Sequence, residues 1–286
     1  MWIFRVETKE MATMNKQRAV AFAALTFSAA LASSAAHAQL MPPVEAEEVN
    51  LIGIAGGVAP DFMGSGHEKG AGAPLFRYQF QGTQRYVAWV GPTGYFNILD
   101  DENWRFGPMA NFRPGRGSSV NDAIVSQMQG INNAWEGGVF LQYRYKLSEQ
   151  KMHQLVFTVD VAGGSNGTVG NPRFLWWQPL GPSTLLNLGA GLTVASSKWI
   201  NTYFGITNAH DIALFPTQGG LPYNAGSGLK GVNVPFGITQ ALSKEWLVSI
   251  GGRYEKLLND AKDSPIVQQH GKDNQWIGGV GLMYLF

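Results

Sequence analysis

Asn274-Gln275-Trp276-Ile277-Gly278-Gly279-Val280-Gly281-Leu282-Met283-Tyr284-Leu285-Phe286 puts Trp276, Val280, Leu282, Tyr284 and Phe286 on one side of an extended chain. Successive side chains of a strand point to opposite faces, so this period of two describes a strand with one greasy side. One face in lipid and one in a polar interior is the arrangement such a strand serves best.

The same period recurs upstream. Phe76, Tyr78 and Phe80 alternate with Arg77 and Gln79, and Trp104, Phe106, Ala110 and Phe112 alternate with Arg105, Gly107, Asn111 and Arg113. Trp135, Val139, Leu141, Tyr143 and Tyr145 oppose Glu136, Gly138, Gln142 and Arg144, while Leu155, Phe157, Val159 and Val161 oppose Thr158 and Asp160. Leu186 to Val194, Val232 to Ile238 and Trp246 to Tyr254 repeat the pattern, the last with Ser249, Gly251 and Arg253 on the second face. In each window that second face is polar or glycine. A soluble β-sandwich also alternates, but here charge is confined to one face of every strand, the polarity of a barrel with lipid outside. Trp104, Tyr145, Trp246, Tyr254, Trp276 and Tyr284 sit near strand ends, as aromatic girdles require.

Composition agrees. Charged residues make up 14% of the chain, against roughly 25% in soluble domains. Beyond residue 38 no segment approaches the roughly 18 continuous apolar residues of a spanning helix. Alternating strands are then the remaining way to satisfy every backbone group in lipid. The fold class expected is all-β, a transmembrane antiparallel barrel.

Lys16 and Arg18 precede the apolar run Ala19 to Leu31 and the small-residue site Ala36-His37-Ala38, which reads as a secretory signal peptide over residues 1–38, cleaved before Gln39. Residues 1–13 read as an over-extended start, with translation beginning at Met14. Cleavage removes Arg5, Lys9, Lys16, Arg18, Glu7 and Glu10, so 21 basic residues become 17 and 20 acidic residues become 18, a net charge of −1. This balance excludes the clustered basic excess of a nucleic-acid footprint. The absence of cysteine excludes disulfides and thiolate chemistry. Residues 39–47 form a short periplasmic segment carrying Pro42-Pro43, and 48–286 form the barrel.

With both termini in the periplasm, short turns face inward and long loops outward. Gly82-Thr83, Asp100 to Asn103, Ser148 to His153, Gly181 to Ser183 and Ser243-Lys244 are the inner turns. Asp61 to Gly72, Pro114 to Asn132, Gly163 to Asn171, Ser196 to Gly228 and Lys256 to Asp273 are the outer loops, with Gly91-Pro92-Thr93-Gly94 a short outer turn. Twelve strands result, at about 48–59, 74–81, 85–90, 94–99, 104–113, 133–146, 154–163, 172–180, 184–195, 229–239, 245–255 and 274–286. Ten is the alternative, if the pair around Gly91 is one bent strand. Trp199 to Thr207 fits either a strand extension or a short helix, and Asn121 to Gln129 is the best local helix elsewhere.

A final strand ending in Tyr284-Leu285-Phe286 resembles the carboxy-terminal signal that the barrel-assembly machinery reads in bacterial outer-membrane proteins. Ala59-Pro60-Asp61-Phe62-Met63-Gly64-Ser65, Trp104-Arg105-Phe106-Gly107-Pro108, Thr202-Tyr203-Phe204-Gly205-Ile206-Thr207 and Asp263-Ser264-Pro265-Ile266-Val267 together resemble the MipA/OmpV family. Phe62 stands where that family usually has Tyr. The resemblance implies a barrel in the cell outer membrane of a Gram-negative bacterium, acting as a non-catalytic scaffold that joins a lytic transglycosylase to a murein synthase. It brings no catalytic residue, cofactor or metal. Other members of the family are described as osmoregulated or surface proteins, so a narrow channel or surface protein is the alternative.

Catalysis needs a nucleophile, a base and an orienting group in reach. Of His67, His153, His210 and His270, three fall on outer loops and one in an inner turn, none on a lipid-facing wall where an outer-membrane phospholipase would need it. Gly64-Ser65-Gly66 lacks the spacing of a nucleophile elbow. The lumen-facing set is Arg77, Arg105, Arg113, Glu136, Arg144, Asp160, Arg253 and Glu255. Its five arginines against three carboxylates would favour anions in a pore, but the preferred reading is structural. Confined charges must be paired, and small barrels are filled by side chains. Pro265 is expected to set a turn, and Tyr203 and Phe204 to pack a loop across the mouth. A murein enzyme could reach only the inner turns or the segment 39–47.

Overall fold

Backbone groups in lipid must find partners within the sheet, and a barrel achieves this by joining its first strand to its last. The computed structural model describes residues 49–150 and 152–286. In it twelve antiparallel strands close into one barrel: β1 (Leu51–Pro60), β2 (Glu68–Gln79), β3 (Tyr86–Val90), β4 (Thr93–Asn97), β5 (Trp104–Arg113), β6 (Ala134–Lys146), β7 (Gln154–Gly164), β8 (Gly167–Pro179), β9 (Thr184–Ala195), β10 (Gly228–Ala241), β11 (Trp246–Leu257) and β12 (Asn274–Leu285). Each strand pairs with its neighbours in sequence, and β1 meets β12 in register from Leu51 opposite Leu285 to Val58 opposite Gly278. The expected signal peptide, the start at Met14 and the segment 39–47 lie outside the described residues.

Outward positions are apolar and open to the surroundings, from Ile54, Val139 and Phe157 to Val280 and Leu282. Aromatic pairs ring both ends. Trp104–Tyr143 and Trp246–Tyr284 stand at the end that holds the termini, with centroids 4.7 and 5.1 Å apart. Phe112–Trp135 and Tyr254–Trp276 stand at the other, at 5.1 and 4.8 Å.

The count of twelve rather than ten is decided by β3 and β4, which pair from Tyr86 opposite Asn97 to Val90 opposite Thr93 around Gly91-Pro92. Two outer loops are shorter than expected. β2 begins at Glu68 instead of near residue 74, and β8 at Gly167 instead of near 172, leaving only Ser165 and Asn166 between β7 and β8. Lys69-Gly70-Ala71-Gly72-Ala73 and Thr168-Val169-Gly170-Asn171 show little apolar alternation, yet their backbones pair fully with β1 and β7. Their small side chains hide strands that hydrogen bonding to a neighbour makes.

The inner face is not uniformly polar or glycine, contrary to what the alternation in sequence suggests. Leu51, Leu75, Leu247 and Met283 are buried together toward the periplasmic end. Val156, Leu175 and Trp177 form another inner cluster, and Met109, Phe140 and Ala162 a third. Part of the barrel interior is a hydrophobic core that excludes water as in any closely packed protein.

The outer loops fold into helices. α1 (Ser197–Phe204) and α2 (Ala209–Leu214) lie between β9 and β10; α3 (Asn259–Asp263) and α4 (Pro265–His270) lie between β11 and β12. The open choice at Trp199 to Thr207 is thus a helix as far as Phe204, started by Ser196 Oγ, which accepts from Trp199 N, after which Ile206 is extended and pairs with Tyr223. Asn121 to Gln129, expected to be helical, forms only a 3-10 turn at Val125–Gln127. Its apolar side chains Val125 and Met128, with the preceding Val120, are drawn instead into the packing of the cap with Phe62, Phe215 and Ile266.

Candidate functional site

The lumen charges separate into two tiers because each strand direction decides which end a residue reaches. Toward the outer end, Arg113 at the end of β5 faces Glu136 at the start of β6. Nε donates to Oε1 and a terminal nitrogen to Oε2, both at 2.7 Å. Asn111 Nδ2 adds a bond to Oε2 at 2.8 Å and Trp199 Nε1 approaches Oε1 at 3.4 Å, so this carboxylate is saturated. Asp160 binds Arg173 and Asn171. Glu255 holds Lys230 at 2.6 Å and Arg253 at 3.5 Å.

Toward the periplasmic end lie Arg77, Arg105 and Arg144, all deeply buried. Their partners include dipoles: Arg77 donates to Val49 O at 2.5 Å and to Gln79, and its guanidinium sits 4.5 Å from the Tyr86 ring centroid. Arg105 donates to the carbonyls of Asp101 and Trp104 and to Gln84 Oε1, and Arg144 donates to Gln142 Oε1. Just outside the membrane, the N–H groups of Trp104 and Asn103 hold the Asp101 carboxyl below its usual range. Arg173 and Lys230 complete the outer tier but were not among the expected lumen residues. The signal for Arg173 was present, since it shares the inward parity of Leu175 and Trp177. Lys230 lies beside a register shift between Leu229 and Gly231, which breaks the simple count.

Motifs far apart in sequence converge on the cap. Ser264, fully buried, donates from Oγ to the carbonyl of Phe204 at 2.6 Å and accepts from Ile266 N, so it joins the end of α1 to the start of α4. Pro265, expected to set a turn, occupies the first turn of α4, where its missing N–H costs nothing. Tyr203 and Phe204 pack with Trp199, Ile200, Leu257 and Val267. Gly205 ends α1 with its N–H on Asn201 O, and a β-carbon there would lie 2.6 Å from that oxygen. Gly64, at φ +89°, is wedged where a β-carbon would meet Val267 Cγ2 at 2.6 Å. Its N–H donates to Gln275 Oε1, and Gln275 Nε2 donates to Ser65 O. Pro60 ends β1 opposite Glu68 and starts this loop.

The other loops are tied in. Asp61 binds Lys69 at 3.1 Å and accepts from Asn121 N at 2.6 Å, and Gln129 N donates to Asp211 at 2.8 Å. Tyr223 OH donates to Asp260 O at 2.8 Å; burial, reinforced by the carboxylates of Asp260 and Asp263, pushes its pKa up to about 12. Burial likewise raises Tyr203. The histidines are scattered: His210 beside Asp211, His270 beside Asp122, His153 beside Ser148, and His67 elsewhere on the outer side. Among the described residues no group of three or more His, Cys, Asp or Glu could hold a metal.

Beneath the cap is a cavity of about 60 Å³, lined by Arg113, Arg116, Lys230, Arg253, Glu255 and Trp199 among others. At the other end a concave mouth of about 910 Å³ is framed by the inner turns, including Ser148, His153, Pro182 and Thr184, and by Val49 and Leu285. A closed antiparallel barrel with a lipid-facing apolar band, aromatic girdles and a capped interior is an outer-membrane β-barrel of a Gram-negative bacterium. The family model described as "MltA-interacting protein MipA" matches residues 52–286, and the chain belongs to that family.

Among solved structures, the COG4313 outer membrane channel from Pseudomonas putida F1 is similar at 11% identity and a TM-score of 0.48, over 90% of this chain and 97% of that one. The NanC porin is similar at 9% identity and a TM-score of 0.45, over 81% and 98%. A FadL homologue of Pseudomonas aeruginosa follows at 9% and 0.35, over 82% and 88%. No curated protein matches the chain.

Proposed function

We propose that this protein is a non-catalytic, non-conducting anchor in the outer membrane that holds a lytic transglycosylase, and through it a murein synthase, at the periplasmic face. The observation that carries this reading is the asymmetry of the barrel. The outer end is covered by packed helices and ion pairs, whereas the periplasmic mouth is a broad concave surface. The family description supplies the class of partner. Export with cleavage before Gln39 belongs to the proposal, and leaves residues 39–47 on the same side as the mouth.

A narrow channel for anions is the second reading, favoured by the surplus of cations in the lumen; it requires the cap to move. Two measurements separate them. In planar bilayers the purified protein gives no reproducible single-channel steps, and it retains a lytic transglycosylase in pull-down. Deleting Gln39 to Glu47 weakens that retention if the segment takes part, and unchanged binding moves the contact to the inner turns. Large regular conductance steps together with no retained transglycosylase would overturn the anchor.

A further inference from the structure

Around the cavity under the cap, cations outnumber carboxylates. Arg113, Arg116, Lys230 and Arg253 line it against Glu255. Arg113 is committed to Glu136, and Lys230 and Arg253 share Glu255. Arg116 is different. Its backbone is pinned by reciprocal bonds with Ile131, N to O at 2.9 Å and O to N at 2.7 Å. This puts Arg116, a residue only 7% exposed, against the cavity with Nε unbonded. Among the described residues no carboxylate lies within 4.0 Å of it. The acid that acts on it from a distance, Asp211, already accepts from Gln129 N and Asn208 Nδ2. A buried cation without a counter-charge is costly, and buried charges are ordinarily paired.

We infer that this cavity is a binding site for a small oxyanion of the phosphate or carboxylate class, held by Arg116 with the help of Lys230 and Arg253. A volume of about 60 Å³ holds several water-sized spheres, at roughly 10–15 Å³ each, and so admits a free anion of a few heavy atoms but not a lipid headgroup with its chains. Trp199 forms one wall, with Arg113 5.1 Å and Lys230 5.6 Å from its ring, so an anion that draws on these cations alters its surroundings. Burial lowers the Arg116 pKa to about 10, which leaves it charged at neutral pH.

The test is equilibrium dialysis of full-length protein in detergent against radiolabelled inorganic phosphate at constant ionic strength set with chloride. The wild-type chain binds saturably, near one per chain, and Trp fluorescence changes over the same range. Arg116→Gln weakens binding at least tenfold, whereas Arg116→Lys stays within a few-fold. Trp199→Phe abolishes the optical signal but not the dialysis result. Heat-modifiable migration in gels confirms that each variant is folded; since Arg116 has no ion-pair partner among the described residues, its loss strands no carboxylate there. Absence of saturable phosphate, sulfate or acetate binding by the wild-type chain overturns the inference, as does wild-type affinity in Arg116→Gln. Displacement of phosphate by purified lipid A also overturns it, because the ligand would then be a lipid headgroup outside the cavity.

Discussion

Glu136→Gln separates a structural lumen from a conducting one. The carboxylate accepts from Arg113 twice at 2.7 Å, from Asn111 at 2.8 Å and more weakly from Trp199 at 3.4 Å, so both oxygens face only donors. Glutamine keeps the shape but turns an NH₂ toward one pair of those donors and removes the charge that offsets Arg113. Arg113 is itself buried, with Lys230 nearby over the same Trp199 ring. Breaking one partner of a buried ion pair costs about 3–5 kcal/mol, because the remaining charge is stranded. Urea unfolding in detergent micelles, followed by Trp fluorescence and by loss of the heat-modifiable folded band, should show a loss of that order.

Replacing both partners, Arg113→Met with Glu136→Leu, should cost less than the sum of the two single changes, since no charge is then stranded. Asn111 and Trp199 still lose an acceptor, about 1–3 kcal/mol for a buried donor, so stability is not fully regained. The double-mutant cycle isolates the coupling. A cost below about 1 kcal/mol for Glu136→Gln, or strict additivity, refutes the reasoning. Altered ion selectivity in bilayers without any change in stability would show instead that the pair filters ions.

Ser264→Ala removes the buried hydroxyl that joins α1 to α4, orphaning the Phe204 carbonyl and the α4 cap, and should cost about 1–3 kcal/mol; faster amide hydrogen exchange confined to 197–206 and 259–270 is the expected sign, and unchanged exchange there counts against the latch. Alkali should loosen the cap through Tyr223. Its folded pKa, about 12, lies above its ordinary value of 10.0, so its contribution is complete below pH 10 and disappears as pH rises toward 12. Tyrosinate absorbance should show late-titrating tyrosines, Tyr203 among them, and Tyr223→Phe should remove one of them; ionisation of every tyrosine near pH 10 would contradict this.

Local pattern determined much of this protein. Alternation of period two is a property of a few consecutive residues, so strands such as β5, β6, β11 and β12 and the sides of their loops were legible without a structure. The same parity placed Arg77, Arg105, Arg113, Glu136, Arg144, Asp160, Arg253 and Glu255 on the inner face. Where side chains are small, as in residues 69–73 and 168–171, the pattern is silent, and only pairing with an already formed neighbour makes the strand.

Tertiary structure alone decided which charges share a tier, because pairing depends on strand direction and register around the closed wall. It also decided the purpose of the outer motifs. Ser264 bonds to Phe204, and Gly64 is packed against Val267. Those contacts join residues far apart in the chain, so no periodicity records them, and Arg116, which has no carboxylate partner among the described residues, is buried only because the cap folds over it.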